Sequence, residues 1–274
     1  MPTIVGVFRE AEYSPGKVAD DAAILERTAA ALGNRGFTVR LGAPALALGD
    51  DVDAVLAMCQ SAPALAVLDA AATRVPVLNG PAAIRNCFRT ETVRLLATAA
   101  PFPRTEIVAT GGAGPLAMST PCWVKRGDVH AMERDDVVFV ADPTALGAAL
   151  AGLHARGITH AAVQAHVAGA VVKFYGVADG RFFRCYTDRE DVPAPIERLW
   201  AAARTGAAAL GLDVFGGDLV VTPAGDPVLI DVNDWPSFAR CRDEAADAIA
   251  GYVADRMAVR RHPHRAPAPR RAHA

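Results

Sequence analysis

The segment formed by residues 216–233 constrains the fold more than any other part of this sequence. Two runs rich in Val, Leu and Ile flank the turn-forming residues 223–227, and this pattern predicts a β-hairpin. A turn centred on residues 224–225 would place Asp218 and Asp231 opposite each other on the two strands. Cross-strand neighbours have Cβ atoms about 5 Å apart, where two like charges destabilise the pair. A cation between the two carboxylates would remove this repulsion.

Asn233 adds a third oxygen ligand to the same place. It lies two residues beyond Asp231, so its side chain is expected on the same face of the sheet. Two carboxylates and an amide oxygen suit a hard divalent cation, and Mg²⁺ is commonly held by one or two carboxylates plus substrate phosphates. The alternative is a pair of unrelated strand-end aspartates, one of which caps a turn. We predict that Asp218, Asp231 and Asn233 bind Mg²⁺ or Mn²⁺.

The composition is that of a globular protein with a well-filled core. The chain has 274 residues, of which 52% are hydrophobic and 21% charged, and its length predicts two or three subdomains. Residues 259–274 contain five Arg, three His and no acidic residue, and this basic, Pro-rich tail is predicted to be disordered. The rest of the chain is mildly acidic, so nucleic acid is not an expected partner.

The cysteines and the N-terminus predict a cytoplasmic protein. No two cysteines form a CxxC motif and none lies near a histidine at zinc-finger spacing, so we expect small buried hydrophobic residues in a reducing compartment. Residues 1–7 indicate a strand without the basic region of a signal peptide. No apolar run reaches membrane-spanning length, so no membrane partner is expected. The five cysteines are Cys59, Cys87, Cys122, Cys185 and Cys241.

Strand and helix patterns alternate over residues 1–80. A short buried-type strand at residues 3–8 precedes a helix at residues 18–34, where apolar residues recur at helical spacing. Further strands are predicted at residues 37–41 and 52–58, and a second helix lies near residues 62–72. This alternation predicts a small parallel α/β domain.

Three basic residues are candidates for binding an anion. Lys125 ends an apolar strand and could reach a phosphate as a point charge. Lys173 lies inside an apolar strand and must face either solvent or an anionic partner. This strand, at residues 170–178, is predicted to form a hairpin with residues 181–186, and Arg184 on the second strand could add another positive charge. The alternative for each residue is a solvated side chain on the protein surface.

Several loops are weaker candidates. The loop at residues 126–131 contains one Gly and His130, and could cover a phosphate, whereas His166 follows a strand and could be structural. Residues 14–17 precede a helix whose N-terminus would suit an anion, although Pro and Gly are also ordinary loop residues. The charged loop at residues 9–17 is a candidate for binding an anionic substrate. P-loop, GxGxxG, GxSxG and HExxH motifs are absent.

The order of these features resembles the ATP-grasp superfamily over about residues 1–258. A small α/β domain is followed by a helix, a strand ending in Lys125, a strand leading into residues 164–167, a strand carrying Lys173, and the acidic hairpin. The most specific match is that hairpin, which begins at residues 211–218 and looks like the superfamily's metal-binding element.

The resemblance implies an α/β (α+β) fold with three parts. Residues 1–80 would form an N-terminal parallel α/β subdomain, and residues 81–258 would form the ATP-grasp domain. Within that domain, a central subdomain at about residues 104–163 and a C-terminal subdomain at about residues 164–258 would clamp ATP between them.

The resemblance also implies roles for individual residues. Lys125 matches a lysine that contacts ATP phosphates, residues 164–167 match the hinge that holds adenine, and Lys173 matches a basic residue near the transferred phosphate. Arg89 occupies the helix in which many members place a first ATP lysine, and Asp231 stands where many ligases have Glu. The implied ATP contacts are Arg89, Lys125, His130, Gln164, His166 and Val167. The implied metal ligands are Asp218, Asp231 and Asn233, and the implied catalytic residues are Lys173 and Arg184.

Two subfamilies share these features. Glutathione-synthetase-like and ribosomal-protein-modifying ligases have a similar N-terminal domain and hairpin. Inositol trisphosphate kinases have features similar to residues 79–81, Arg89, His130 and Lys173. The ligase is the expected activity: a substrate carboxylate takes the γ-phosphate of ATP, and an amine or thiol then displaces the acyl phosphate. A small-molecule kinase and a nucleotide-binding protein without turnover are the alternatives.

The expected partners are ATP, Mg²⁺ and a small anionic substrate. The resemblance does not name the acceptor. A homodimer is compatible with the sequence, which leaves the oligomeric state open.

Overall fold

The fold contains three four-stranded sheets with helices packed on them. The computed structural model describes residues 1–44, 48–112, 117–189 and 192–261. The strands are β1 (Thr3–Val7), β2 (Thr38–Gly42), β3 (Ala54–Ala57), β4 (Val77–Leu78), β5 (Thr105–Ala109), β6 (Cys122–Arg126), β7 (Val137–Val140), β8 (His160–Ala165), β9 (Ala170–Val177), β10 (Phe183–Tyr186), β11 (Val214–Val221) and β12 (Pro227–Asp234). The α-helices are α1 (Val18–Gly33), α2 (Ala62–Ala72), α3 (Pro81–Asn86), α4 (Arg89–Ala99), α5 (Pro143–Ala155), α6 (Ile196–Leu210) and α7 (Arg242–Arg261).

The first sheet is parallel, with strand order β2-β1-β3-β4, which confirms the predicted parallel α/β unit. Alternate residues of β1 face opposite sides, as the pleat requires. Ile4 packs in one core with Leu25 of α1 and Ile249 of α7, while Val5 packs with Leu65 of α2. The sheet is therefore covered on both faces, and its buried strands are almost wholly apolar.

The second sheet is antiparallel, with strand order β5-β8-β6-β7. Helix α5 begins at Pro143, and the carboxylate of Asp142 accepts a hydrogen bond from the Ala145 amide at 3.0 Å, which caps the helix. Leu150 and other apolar residues of α5 pack on the sheet face that carries Val124 and Val163. Trp123, Lys125 and Gln164 lie on the opposite face, which points away from α5.

The third sheet is antiparallel, with strand order β10-β9-β11-β12. Helix α6 covers one face, where its Ala203 and Leu210 pack in one core with Leu219 and Leu229. The other face carries Lys173 and Asp218, which are cross-strand partners. Because α6 covers only one side, this polar face is available to a ligand.

A β-bulge sets the register of the acidic hairpin. Val221 pairs with Pro227 across a turn centred on Ala224, so a regular ladder would bring Asp218 opposite Ile230. Ile230 is instead an extra residue in β12, and Asp218 pairs with Asp231. The predicted pairing of the two carboxylates is confirmed, but the predicted two-residue centre of the turn is wrong.

The first and third sheets are joined directly. The buried Asn79 side chain donates to the Val214 carbonyl at 2.7 Å and accepts from the amides of Asp213 at 2.8 Å and Val214 at 2.9 Å. The Trp235 indole N–H donates to the Leu78 carbonyl at 3.1 Å. Helix α7 also packs in the core of the first sheet, so the C-terminal helix returns to the N-terminal unit. The domain boundary near residue 80 stays a prediction.

Other expectations have mixed outcomes. Cys59, Cys122 and Cys241 are buried thiols, whereas Cys87 and Cys185 are only partly buried. The tail predicted to be disordered begins at residue 259, but residues 259–261 are the end of α7, and the rest of the tail from residue 262 onward lies outside the described residues. Within the described ranges, no helix combines the length and apolar character needed to cross a bilayer.

Candidate active site

A cavity of ≈ 440 Å³ lies over the polar face of the third sheet. Its walls come from four parts of the chain that are distant in sequence. They are the N-terminal loop with the start of α1, Gln60 after β3, the loop between β6 and β7, and strands β9, β11 and β12 with the residues that follow β12. The cavity therefore exists only when the three sheets are assembled.

The three predicted metal ligands lie together at this cavity. Asp218 Oδ1 is 2.9 Å from Lys173 Nζ, and Asp231 Oδ1 is 2.9 Å from Arg89 Nη1. The Asn233 side chain donates to Asp231 Oδ2 at 2.9 Å, so its carbonyl oxygen is the atom it can offer to a metal ion. The carboxylates that would bind a cation thus have protein cations as neighbours.

The donor set fits Mg²⁺ or Mn²⁺ better than a softer metal. It contains two carboxylates and an amide, all of them oxygen ligands. Within the described ranges, no three or more His, Cys, Asp or Glu side chains are grouped to hold a metal by themselves. A cation here would complete its coordination with substrate phosphates, as Mg²⁺ commonly does.

The two carboxylates differ in their affinity for a proton. Burial by itself would raise the pKa of Asp231, but Arg89 and Lys125, together with the Asn233 hydrogen bond, outweigh it and lower the pKa to about 2. Burial raises the pKa of Asp218 above its usual value, although Lys173 opposes the shift. Asp231 is therefore the fixed anion of the pair.

Lys125 lies on the second sheet and reaches the hairpin of the third. Its Nζ donates to the carbonyl of Ile230 at 3.0 Å, the residue that the bulge places out of register. Lys125 is only 6% exposed, which rules out the alternative of a solvated surface lysine. Burial, with Arg89 nearby, lowers the pKa of Lys125 to about 8. This ammonium is desolvated and lacks a full counter-charge, which favours an anionic ligand.

Arg89 is the first residue of α4 and supplies the third cation. It is 6% exposed, and its Nε is buried without a hydrogen-bond partner. The same helix end holds the β6–β7 loop, because the Thr90 hydroxyl donates to the Gly127 carbonyl at 2.9 Å and the Arg89 amide to the Asp128 carbonyl at 3.3 Å. The helix thus positions a guanidinium that has an unused donor.

The predicted hinge residue His166 belongs to an aromatic cluster whose other members, Trp123 and Phe139, the sequence reasoning missed. We call Trp123, Phe139 and His166 the aromatic platform: the Trp123 and Phe139 rings lie 5.1 Å apart, and the Phe139 and His166 rings 5.2 Å apart. The Trp123 indole N–H donates to His166 Nδ1 at 3.2 Å. Trp123 is two residues before Lys125 in β6 and shares its sheet face, a spacing that could have identified it.

The other hinge residues are less exposed. Gln164 is buried, and its amide donates to the Thr105 hydroxyl at 3.2 Å. Val167, which follows His166 in the chain, is partly buried. The backbone of this segment, rather than the Gln164 side chain, is what a ligand could contact.

His130 and Arg184 have different surroundings. His130 lines the cavity, and its Nε2 lies 3.0 Å from the Tyr13 carbonyl oxygen, so the β6–β7 loop contacts the N-terminal loop. Burial and the nearby Arg9 lower the pKa of His130. Arg184 pairs with Tyr175 in the ladder, but its guanidinium extends to Glu244 of α7 at 2.7 Å and does not line the cavity. A catalytic role for Arg184 is not supported by this geometry.

The N-terminal wall also departs from expectation. The loop at residues 9–17 was expected to bind an anion, but Arg9 donates to the carbonyls of Met58 at 3.2 Å and Trp235 at 3.1 Å and to the Asp21 carboxylate at 3.2 Å. The Arg9 guanidinium is therefore paired with a carboxylate of the protein itself. Sequence reasoning did not identify Asp21, Gln60 or Asp234, which lie at this wall.

Solved structures share this architecture over nearly the whole chain. A RimK-domain ATP-grasp protein from Sphaerobacter thermophilus is 23% identical, with a TM-score of 0.67, covering 92% of this chain and 99% of its own. A D-alanine–D-alanine ligase from Bacillus anthracis, solved with ATP, is 12% identical, with a TM-score of 0.69 and coverage of 94% and 99%. D-cycloserine synthetase DcsG is 18% identical, with a TM-score of 0.63 and coverage of 93% and 99%.

No family model matches the chain, and no curated protein sequence matches it significantly. The likeness is one of fold over nearly the whole chain. The predicted superfamily resemblance is confirmed at the level of architecture: this chain has the ATP-grasp fold.

Proposed function

We propose that this protein is an ATP- and Mg²⁺-dependent ligase that activates a substrate carboxylate as an acyl phosphate. The observation that carries the proposal is the meeting of Asp218 and Asp231 with three cations, Lys173, Arg89 and Lys125, beside one cavity. Carboxylates that hold a metal, next to cations that lack a full set of partners, are what a polyphosphate requires. The similar structures include ligases, which adds support for this reaction class.

The phosphate end of the site would work by charge and position. Mg²⁺ held by Asp218, Asp231 and Asn233 would offset negative charge on the phosphates of ATP. Lys125 and the unused Arg89 donor would bind phosphate oxygens. Lys173 would exchange its contact with Asp218 for one with the transferred phosphoryl group.

The aromatic platform would bind the adenine ring of ATP. Trp123 and Phe139 lie on the same sheet face as Lys125, and Phe139 is 46% exposed, which is unusual for a large apolar side chain. Flat aromatic surfaces bind nucleobases by stacking. The backbone of residues 164–167 would supply hydrogen bonds to the adenine edge.

The reaction would then proceed in two steps. A substrate carboxylate oxygen bonds to the γ-phosphorus while the bond to the ADP oxygen breaks. An amine or thiol next bonds to the acyl carbon, loses a proton, and inorganic phosphate leaves. No side chain of the protein needs to act as a nucleophile, because positioning and electrostatic stabilisation supply the catalysis. The unpaired thiols are in keeping with the cytoplasmic location that we propose.

ADP release tests the proposal. Wild-type protein with Mg-ATP is assayed with pooled amino acids and amines, and separately with pooled polyols and inositol phosphates. Release with the first pool supports the ligase, release only with the second identifies a kinase, and ATP binding without release identifies a nucleotide-binding protein without turnover. Addition of EDTA is expected to abolish activity.

Asp218→Asn tests the metal assignment. The substitution keeps the shape of the side chain and removes one negative charge, so ADP release at saturating Mg-ATP is expected to fall about tenfold to hundredfold. Asp226→Asn is the matched control, since Asp226 lies in the turn of the same hairpin, where it pairs with Arg198 at the surface. Equal activity of both variants would contradict the assignment.

A further inference from the structure

The N-terminal wall of the cavity contains a second charged cluster. We call Arg9, Asp21, Gln60 and Asp234 the N-terminal cluster; all four line the cavity. Arg9 Nη1 donates to Asp21 Oδ2 at 3.2 Å, and Gln60 Nε2 donates to Asp234 Oδ1 at 2.9 Å. The Asp234 and Gln60 side chains are thereby fixed against each other although 174 residues separate them.

Two acceptor atoms of this cluster have no hydrogen-bond partner. Gln60 Oε1 and Asp234 Oδ2 are both buried and unpartnered, in residues that are 5% and 2% exposed. The orientation of the Gln60 amide is determined by its neighbour, since an ionised carboxylate can only accept and the amide must turn its N–H toward it. The remaining atoms of this hydrogen-bonded pair are therefore both acceptors. Unpaired buried acceptors are costly and call for a donor.

The cations nearest to this cluster do not supply that donor. Arg9 Nη2 lies 3.5 Å from Asp234 Oδ2, but its hydrogen bonds go to the carbonyls of Asp234 at 3.2 Å and Trp235 at 3.1 Å. Lys17 also lines the cavity, but neither of the two acceptor atoms receives a hydrogen bond from it. The donor must come from elsewhere.

The balance of charge within the N-terminal cluster also favours a cation. The two carboxylates of the cluster, Asp21 and Asp234, outnumber its one guanidinium, that of Arg9. The acidic hairpin at the opposite end has three cations as neighbours, Lys173, Arg89 and Lys125, for its two carboxylates. A ligand that spans the cavity is therefore expected to carry negative charge at the acidic hairpin and positive charge at the N-terminal cluster.

We propose that Asp234 and Gln60 bind the protonated amino group of the acceptor substrate. An ammonium group supplies both the missing charge and the hydrogen-bond donors that Asp234 Oδ2 and Gln60 Oε1 lack. The inference rests on the proposed function and names its substrate class: the acceptor is a small amino acid. Its carboxylate lies toward Lys173, where it is phosphorylated, and its amino group lies at the N-terminal cluster.

Calorimetric titration tests the binding step without turnover. Full-length protein is titrated with individual L- and D-amino acids, and each amino acid that binds is compared with the 2-hydroxy acid of the same skeleton. The ammonium is expected to contribute about tenfold to hundredfold in affinity, so the hydroxy acids should bind correspondingly more weakly. Equal affinity for the two series, or no binding of any amino acid, would overturn the inference.

Two variants test whether Asp234 and Gln60 bind the amino group. Asp234→Asn keeps the acceptor for Gln60 and replaces the charged oxygen with a donor, and Gln60→Met removes the amide at nearly constant size. Each is expected to lose the preference for amino acids over hydroxy acids and to raise the KM for the amino acid, with the KM for ATP unchanged. Asp247→Asn, at an exposed ion pair with Arg35, is the control and should retain the preference.

The two failures can be told apart. If Mg-ATP binds and ADP is released with acceptors that lack an amino group, the proposed function stands and the inference fails. If amino acids bind with the expected preference but no ADP forms, the inference stands and the ligase assignment fails. Thermal unfolding of each variant shows whether it folds, and retained preference in both folded variants would overturn the assignment of Asp234 and Gln60.

Discussion

At the scale of single residues, the site is governed by side chains whose charges are incompletely matched. Lys125 reaches only a backbone carbonyl, and Arg89 has a buried Nε without a partner. Such groups cost stability in the absence of a ligand and regain it when an anion binds. Their burial therefore has a functional explanation that a packing argument alone does not provide.

Lys125→Met tests this view. Removing a buried ammonium should leave the melting temperature unchanged or raise it, whereas the Kd for Mg-ATP should rise at least about tenfold because a charge-assisted contact is lost. Calorimetry and thermal unfolding measure the two effects. Lys17→Met is the control, as Lys17 is exposed at the same cavity. A large loss of stability in Lys125→Met would show that the lysine is structural.

Asp136 is a residue whose charge is fully matched. It accepts hydrogen bonds from the amides of Met132 at 2.7 Å and Glu133 at 2.9 Å and from Arg126 at 3.0 Å, and it also pairs with Arg156. Burial would raise its pKa, but these partners outweigh burial and lower the pKa to about 2. The carboxylate thus holds together the loop that covers the cavity.

The lowered pKa predicts a pH dependence of stability. The contribution of Asp136 is complete above the ordinary Asp pKa near 4 and is lost as the pH falls toward 2, with a size of about 2 kcal/mol. Asp136→Asn should lower the free energy of unfolding at neutral pH by a similar amount and flatten its dependence on pH below 4. Urea unfolding at several pH values measures both. Asp135→Asn, at an exposed neighbour, should behave like the wild type.

At the scale of elements, the acidic hairpin depends on close approach of its backbone. A Cβ atom at Gly217 would lie 2.2 Å from the Asp231 carbonyl oxygen and 2.7 Å from the Phe174 ring. The carbonyl belongs to the backbone and cannot move aside without opening the strand pair. Glycine is therefore required beside Asp218, one of the proposed metal ligands.

Gly217→Ala is expected to destabilise the protein by about 1–3 kcal/mol, as overpacking does, and to weaken Mg-ATP binding because Asp231 is displaced. Gly147→Ala provides a matched control. Gly147 lies within α5, where a Cβ would meet nothing within 4 Å, so this substitution should stabilise the protein by about 0.5–1 kcal/mol. Urea unfolding distinguishes the two, and equal effects would contradict the account of the hairpin.

At the scale of the whole molecule, Asn79 connects the first sheet, which adjoins the N-terminal wall, to the third sheet, which carries the proposed metal ligands. Its side chain satisfies one carbonyl and two amides at the start of β11, and it is fully buried. Each buried group left without a partner costs about 1–3 kcal/mol. Asn79 therefore holds the two halves of the cavity together, along with the Trp235–Leu78 hydrogen bond and the shared apolar core.

Asn79→Ala should lower the free energy of unfolding by about 3 kcal/mol or more, because three hydrogen bonds are lost at a buried site. Asn86→Ala is the control: Asn86 makes one hydrogen bond, to the Leu210 carbonyl at 3.1 Å, in a partly buried position. Its loss should cost about 1 kcal/mol. Similar losses for both variants in chemical unfolding would show that Asn79 is not the principal connection.

The sequence by itself determined the features that depend on neighbouring residues. Alternation of strand and helix patterns predicted the parallel N-terminal unit, and the spacing of Asp218, Asp231 and Asn233 predicted one cluster on one strand pair. Periodicity is local, so both predictions required only the geometry of strands, helices and turns.

Only the tertiary structure decided which distant side chains meet. It placed Lys125 against the bulge at Ile230, turned Arg184 toward Glu244, and brought Gln60 to Asp234. Such contacts arise from the packing of one sheet on another, which no short-range pattern encodes. For that physical reason the pairing of Asp218 with Asp231 could be predicted from the sequence, whereas the wall proposed to bind the substrate could not.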